Sequence, residues 1–141
     1  MNKRLSSVLA IAGFAAATAG FSTQSQAHHS FSSEFDRRQP VEVQGTVTSA
    51  RIVNPHGWLY LDVRNVDGTK TNWGFEFGTP IVLKAKGIKR EDVRPGTVVR
   101  ISGYRSKNTG PFGYAQAVEL GDGRTIAVGS APDAPTAQAR R

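Results

Sequence analysis

Hydrophobic and polar residues alternate along much of the chain after residue 40, a pattern that is typical of half-buried strands. The first such run contains Val41, Val43 and Val47, each separated from the next by polar residues around Gly45. Because glycine inside a strand often marks a bulge, we predict a first strand that bends or bulges at Gly45 and continues as far as Val53.

A hairpin is predicted next, because two alternating runs flank the turn residues 65–69. The loop length decides which side chains share a face. A two-residue turn would place Glu76 opposite Leu59. A three-residue loop with Gly68 in the left-handed conformation instead pairs Leu59 with Phe75, and Asn65 with Thr69. We predict the second register because it separates apolar from polar residues. Its core face carries Leu59, Leu61, Val63, Trp73 and Phe75, and its opposite face carries Trp58, Tyr60, Asp62, Asn72, Gly74 and Glu76.

A short helix is predicted after this hairpin, with Thr79 as N-cap, Pro80 as first residue and Gly87 at its end. Further alternating runs predict strands over residues 97–104, 114–120 and 126–128. A helix between the third and fourth strands is the connectivity of an OB-fold. We therefore predict an all-β fold, a small OB-like barrel of five to six strands, with a different small β-barrel or an open β-roll as the alternative.

The N-terminus has the pattern of a secretory signal peptide. Lys3 and Arg4 precede a mostly apolar run over residues 5–21, and residues 25–27 form a small-x-small cleavage site. We expect cleavage after Ala27 and export to the periplasm by the general secretory route. An uncleaved anchor helix is the alternative, although the run is short and rich in Ala and Gly for a membrane span.

The predicted organisation is therefore a signal peptide (1–27), an N-terminal segment (28–40), an OB-like barrel domain (41–129) and a tail (130–141). The tail is rich in Ala and Pro and lacks apolar periodicity, so we expect it to be disordered. After cleavage no stable membrane insertion is expected.

Composition narrows the classes of function. The chain has 18 basic and 11 acidic residues, but the basic ones are scattered without any run longer than two, and no basic-aromatic stripe is visible. We therefore expect no nucleic-acid partner. The absence of cysteine excludes disulfides, thiolate metal ligands and a lipid-anchored cysteine.

Three histidines are the strongest candidates for chemistry: His28, His29 and His56. Cleavage after Ala27 would give His28 a free α-amine beside its imidazole, and both nitrogens can bind one metal ion. A third nitrogen from His56 would complete a T-shaped set that suits Cu(II). The α-amine has a reference pKa near ~8, so its proton is lost to a metal at little cost.

Other ligands and a simpler interpretation stay open. His29 can replace His56 or add to it, and a carboxylate from Glu34, Asp36 or Glu76 would shift the preference towards zinc. The alternative is that the two N-terminal histidines are exposed and idle, while His56 only forms hydrogen bonds within its own turn.

A second candidate surface is the ligand or partner face, to which we assign Trp58, Tyr60, Asn54 and Trp73. In OB-folds strands two and three usually carry the ligand face, and exposed aromatic rings there can stack on bases or sugars. We favour the interpretation that Trp58 and Tyr60 instead pack under the N-terminal segment 31–35, which would carry the two adjacent histidines towards His56 and Glu76.

Several motifs together resemble a bacterial exported family, domain of unknown function 6152: "AHHSF", "NPHGWLYLDV", "DGTKTNWGFEFGTP" and "LKAKGIKREDVRPGTVVRISGYRSK". The motifs that recur in that family fall here on His28, His29, Asn54, Pro55, His56, Trp73 and Glu76. Gly57 departs from the family, which often has Ala or Val there. The resemblance implies export and the extent of the domain, but it implies no reaction.

The resulting hypothesis is a periplasmic binding or accessory protein for a divalent metal, copper first and zinc second, bound by His28 and His56 with His29 and Glu76 nearby. Storage, delivery or sensing would be its role, and an unidentified periplasmic protein or small ligand its partner. The rival is a metal-free interaction module that uses the Trp58/Tyr60 face. No catalytic residue is predicted, because no nucleophile-base set, phosphate loop or carboxylate pair stands out.

Overall fold

The computed structural model describes residues 30–136, and almost all of its regular structure is β. Its elements are α1 (Phe31–Glu34), β1 (Phe35–Arg51), β2 (Gly57–Arg64), β3 (Lys70–Phe77), α2 (Pro80–Ala85), a 3-10 helix (Arg90–Val93), β4 (Val98–Ser106), β5 (Phe112–Glu119) and β6 (Thr125–Ala127). The predicted all-β class is confirmed. The predicted signal peptide lies outside the described residues.

The six strands form one sheet in the order β3-β2-β1-β4-β5-β6, and all neighbours in that order are antiparallel. In addition, β3 pairs with β5 in parallel, through Gly74 with Phe112, Phe75 with Gly113, and Glu76 with Tyr114. Two strands that are far apart in the sheet order are therefore hydrogen-bonded to each other.

The hairpin between β2 and β3 has the predicted register. Leu59 pairs with Phe75, the Asn65 N–H donates to the Thr69 carbonyl oxygen at 2.8 Å, and the Gly68 N–H donates to the Asn65 carbonyl oxygen at 3.0 Å. Gly68 has a φ of 85°, a conformation in which a Cβ is disfavoured. The three-residue loop is therefore confirmed, and the polar residues of both strands share the outer face.

The short helix α2 also follows its sequence signals. Thr79 is the N-cap, and its Oγ1 accepts a hydrogen bond from the Val82 N–H at 3.3 Å. Pro80 is the first helical residue, and Gly87 leaves the helix with a φ of 85°. The helix buries Leu83 in the core, so the predicted α2 is confirmed with its caps.

Strand β1 differs from its prediction in length and in the position of its irregularity. It begins at Phe35, and its register with β2 shifts between Val47 and Ser49, whereas Gly45 pairs regularly with Val99. A Cβ on Gly45 would lie 2.7 Å from the Asp62 carbonyl oxygen. Glycine is needed there because β2 approaches closely, and the register irregularity predicted at Gly45 lies between Val47 and Ser49 instead.

One main core lies on the inner face of the sheet. Its largest fully buried side chains are Phe75, Phe77, Leu59, Leu61, Leu83, Ile101, Val47, Val93, Val99, Val118 and Val128. A separate aromatic cluster of Phe31, Phe35 and Tyr114 lies outside this core. Within residues 30–136, no helix has the length and hydrophobicity needed to span a membrane.

The C-terminal segment 130–136, which composition predicts as part of a disordered tail, makes defined contacts. Its Asp133 carboxylate accepts hydrogen bonds from the backbone N–H groups of Phe31, at 2.8 Å, and Ser32, at 2.9 Å. Ala131 and Ala134 pack against the aromatic cluster. These partners are distant in sequence, so local composition carries no sign of them. Residues 137–141 of the predicted tail lie outside the described part of the chain.

Candidate functional site

The centre of the candidate site is a contact between His56 and Glu76. His56 follows the bend at Asn54 and Pro55 and directly precedes β2, while Glu76 lies near the end of β3. His56 Nδ1 lies 3.2 Å from Glu76 Oε1, and each side chain is 12% exposed. Within residues 30–136, Glu76 is the one charged residue that is buried. The fold thus buries a carboxylate in contact with this histidine.

This contact selects the protonation pattern of the imidazole. A carboxylate accepts hydrogen bonds, so we assign the proton to Nδ1, from which it is donated to Glu76. The lone pair then resides on Nε2, which is buried. Histidine ligands of metal ions usually donate their other ring N–H to a carboxylate or carbonyl group, which fixes the ring and raises its basicity. The His56–Glu76 geometry matches that arrangement.

Glu76 lies in a row of side chains that crosses four strands on the outer face of the sheet. Strand pairing places Trp58 beside Glu76, Glu76 beside Tyr114, and Tyr114 beside Tyr104. Burial raises the pKa of the Tyr114 hydroxyl, and the negative charge of Glu76 raises this pKa further. The carboxylate is therefore flanked on the neighbouring strands by aromatic residues, and Glu76 itself is buried.

The N-terminal segment packs on the far end of this row. The Phe31 ring lies edge-on to Tyr104 at 5.4 Å and to Tyr114 at 5.1 Å, and it lies 5.6 Å from Phe35 (all centroid distances). Phe31 is 1% exposed and Tyr114 is 2% exposed. The segment is anchored firmly, on the side of Glu76 away from Trp58.

The expectation that segment 31–35 covers Trp58 and Tyr60 is therefore wrong, because its two phenylalanines pack on the tyrosines of β4 and β5. Trp58 and Tyr60 are half-buried and stack on each other, with ring centroids 6.3 Å apart. Phe112 meets Trp58 edge-on at 6.5 Å and lies over Gly74. The aromatic partner of this surface comes from β5.

The other two residues assigned to the ligand or partner face do not join Trp58 and Tyr60. Asn54 is exposed in the bend before His56. Trp73 lies on the opposite side of β3, where it stacks on Phe75 at 5.6 Å and packs against the core. The Arg105 guanidinium lies 4.8 Å from the centroid of the Trp73 ring. Strand alternation separates Trp73 from that face, which corrects its assignment.

The remaining predicted ligands are only partly described. His28 and His29 lie outside residues 30–136, and within that range no group of three or more acidic or histidine side chains is arranged to hold a metal ion. Asp36 accepts hydrogen bonds from Arg38 and Gln39 at the start of β1, where the register with β4 shifts. Backbone and side-chain hydrogen bonds from Arg38 lower the pKa of Asp36 to about 2. Among the predicted metal ligands within residues 30–136, the structure thus brings His56 and Glu76 together.

Sequence reasoning missed two residues near this site. Tyr114 borders Glu76, and its signal was present in the alternation of Phe112, Tyr114 and Gln116 with small residues, which predicts an outer face bearing aromatic rings. Asp133 contacts the N-terminal segment from the far end of the chain. No local pattern signals that contact, because it depends on how the two ends meet in the fold.

The Asp133 contact gives a pH-dependent prediction. Hydrogen bonding to the Ser32 backbone N–H holds the pKa of the Asp133 carboxyl at about 2, below its usual 3.8. A depressed pKa means that the stabilisation is complete above about pH 4 and is lost as the pH falls towards 2. We expect a carboxyl carbon NMR titration of Asp133 to have its midpoint near 2. A midpoint close to that of the unfolded chain would contradict this.

The chain matches a known protein family. A model of a family of unknown function (DUF6152) matches residues 16–115. The matched range includes the N-terminal histidines, the bend with His56 and the strand with Glu76. No curated protein and no solved structure matches the chain.

Proposed function

The chain belongs to the family of unknown function DUF6152, and on that premise we propose that it is an exported periplasmic binding or accessory protein for a divalent metal ion. Copper is the preferred ion. The proposed ligands are the α-amine and imidazole of His28, exposed by cleavage after Ala27, and Nε2 of His56. Storage, delivery or sensing of the metal is the proposed role.

The observation that carries this proposal is the buried His56–Glu76 contact. A surface histidine in a turn needs no carboxylate, and burying a charged group is costly unless it gains a specific partner. Here a buried glutamate aims the ring and assigns Nε2 as the basic nitrogen. Glu76 therefore orients His56, a role that differs from that of a direct metal ligand.

The anchored N-terminal segment supports the proposed contribution of His28 to the site. Phe31 lies on Tyr114, and Tyr114 lies beside Glu76, which contacts His56. His28 lies three positions before Phe31, and an extended chain of that length spans about 10 Å at most. An anchor at Phe31 therefore supports the proposal that His28 reaches the Glu76 side of the sheet.

The available donors favour copper over zinc. The chain has no cysteine, and once Glu76 is engaged by Nδ1 of His56 the remaining proposed donors are nitrogens. Nitrogen donors in a planar or T-shaped set suit Cu(II), which also binds most tightly among the divalent ions of its row. His29 is proposed as a neighbouring group that adds to the set. Zinc is the alternative ion.

We also propose that the fold is an OB-like closed barrel. The parallel β3–β5 pairing joins strands from opposite ends of the run β3-β2-β1-β4-β5, and α2 lies between β3 and β4 as in an OB-fold. In such a barrel the site would lie on the outer wall, where β2, β3 and β5 meet.

Copper titration of the exported protein tests the proposal. Intact mass first establishes whether the exported chain starts at His28. We expect one Cu(II) per chain, binding weakened by about 100-fold in His56→Ala, and an intermediate loss of about tenfold in Glu76→Gln, since a carboxylate behind a ligating histidine typically contributes that much. Isothermal titration and the Cu(II) EPR spectrum are the measurements.

The matched control is the same protein with one added Met before His28. This addition keeps every side chain but removes the amine from the chelate, so it should weaken binding as strongly as His56→Ala does. His29→Ala should weaken binding by less than His56→Ala does, since His29 is proposed only to add to the set. Equal affinity in wild type and His56→Ala, or no retained Cu(II) in protein that starts at His28, would refute the proposal.

One observation favours a metal-free interaction module as a second candidate. The N-terminal segment leaves Trp58 and Tyr60 half-buried, and Phe112 beside them is 41% exposed. Such neighbouring aromatic rings can contribute to binding a protein or small ligand. This candidate gains support when protein that starts at His28 fails to retain Cu(II).

A further inference from the structure

We propose that residues 130–136 act as a clasp that fixes the N-terminal segment, with Asp133 as the positioning residue that places the mature N-terminus for metal binding. The metal half of this inference rests on the proposed function. The clasp itself does not, because all of its contacts lie within the described residues.

The polar part of the clasp is a two-point contact. One Asp133 carboxylate oxygen accepts the Phe31 N–H at 2.8 Å and the other accepts the Ser32 N–H at 2.9 Å. Hydrogen bonds to a charged acceptor are among the stronger ones, and two of them fix orientation as well as distance. The contact therefore holds the backbone three to four residues after His28.

The remaining contacts hold the clasp on the sheet. The Ala131 N–H donates to the Tyr114 hydroxyl oxygen at 3.0 Å, and the Gln116 side-chain amide donates to the Pro135 carbonyl oxygen. Ala131 and Ala134 also pack against the aromatic cluster of Phe31, Phe35 and Tyr114. Tyr114 thus contacts both the N-terminal segment and the clasp, as well as bordering Glu76.

This arrangement separates the residues that position the N-terminus from those that bind the metal. The clasp supplies no atom to the metal, so removing Asp133 should leave the ligand set unchanged. Removing Asp133 should instead let the N-terminus occupy a wider range of positions. Because the site is then less pre-organised, its affinity for Cu(II) should fall. Weaker binding with an unchanged spectrum at saturation distinguishes a positioning residue from a ligand.

The experiment compares exported wild type, Asp133→Ala and Asp133→Asn, with Asp67→Ala as the matched control. Asp67 is also exposed and also accepts a backbone N–H, from Thr69 at 2.9 Å, but it lies in the β2–β3 turn. We expect faster amide hydrogen exchange at residues 31 and 32 in Asp133→Ala without metal. We also expect Cu(II) affinity about tenfold lower with the same EPR spectrum at saturation.

Asp133→Asn keeps one acceptor oxygen and should give intermediate values, whereas Asp67→Ala should match wild type in both measurements. Unchanged exchange at residues 31 and 32 in Asp133→Ala overturns the clasp. Faster exchange with unchanged affinity overturns its positioning role. If wild type itself binds no Cu(II), the proposed function fails, and the exchange measurement still decides the clasp.

Discussion

Replacing Gly103 with alanine is expected to destabilise the protein by about 3 kcal/mol or more, a large part of the stability of a small domain. Gly103 lies in β4 where the register with β5 shifts. A Cβ there would overlap the Tyr114 carbonyl oxygen and lie 3.2 Å from the Gln116 backbone nitrogen. Backbone atoms cannot rotate away, so β4 and β5 would have to separate and lose ladder hydrogen bonds.

Chemical denaturation of Gly103→Ala beside Gly121→Ala measures this effect. The nearest atom to a Cβ on Gly121 is the Val98 carbonyl oxygen at 3.7 Å, an ordinary contact. The Gly121 variant should therefore change the free energy of unfolding by less than about 1 kcal/mol. Similar values for the two variants would show that β4 and β5 accommodate a side chain at position 103.

The second large effect is expected from Phe75→Ala, at about 3–5 kcal/mol, the usual cost of truncating a buried phenylalanine. Phe75 is fully buried, pairs with Leu59 and stacks on Trp73. Its ring also fills the space above Gly113, where a Cβ would lie 2.7 Å from the Phe75 Cε1 atom. Truncation therefore leaves a cavity where β2, β3 and β5 meet.

Phe112→Ala is the control for Phe75→Ala, since it removes the same ring from the outer face of the same β3–β5 pairing. Phe112 is 41% exposed, so we expect a loss of about 1 kcal/mol. Thermal and urea unfolding of the two variants give the comparison. Equal losses would mean that the inner and outer faces of this junction contribute alike, contrary to the burial pattern.

The parts of the fold that local chemistry determines were predictable from the sequence. The register of the β2–β3 hairpin follows from one glycine at the left-handed position and from which register keeps Glu76 off the aliphatic face. The ends of α2 follow from Thr79, Pro80 and Gly87. In each case neighbouring residues fix the backbone, so a short window of sequence contains the necessary information.

Long-range pairings were harder to predict from the sequence. Gly45 signals an irregularity, but the sequence does not say that its cause is the close approach of Asp62 in another strand. The β3–β5 pairing and the contact of Asp133 with α1 join segments whose own patterns carry no mark of the partner. Such features depend on how the whole chain closes.

The candidate site was likewise predictable only where local sequence determines it. The sequence identified His56 and Glu76 separately, and the confirmed hairpin register already places Glu76 on the outer face beside Trp58. The sequence did not predict that the bend turns His56 towards Glu76, or that β5 places Tyr114 beside Glu76. Both features are visible only in the tertiary structure. The alternation along β3 already places Trp73 on the core face, so its assignment to the ligand or partner face is wrong.

The central place of β1 in the sheet has a consequence for the order in which the chain folds. A growing polypeptide offers its N-terminal residues first, so β1 meets β2 across a short bend well before β4 exists. Until Ser106 has followed, the other edge of β1 has no strand beside it, and Arg37 and Arg38 on that strand discourage pairing with other chains. The β1–β4 and β3–β5 pairings, and the Asp133 contact, therefore form after the β1–β2 pairing.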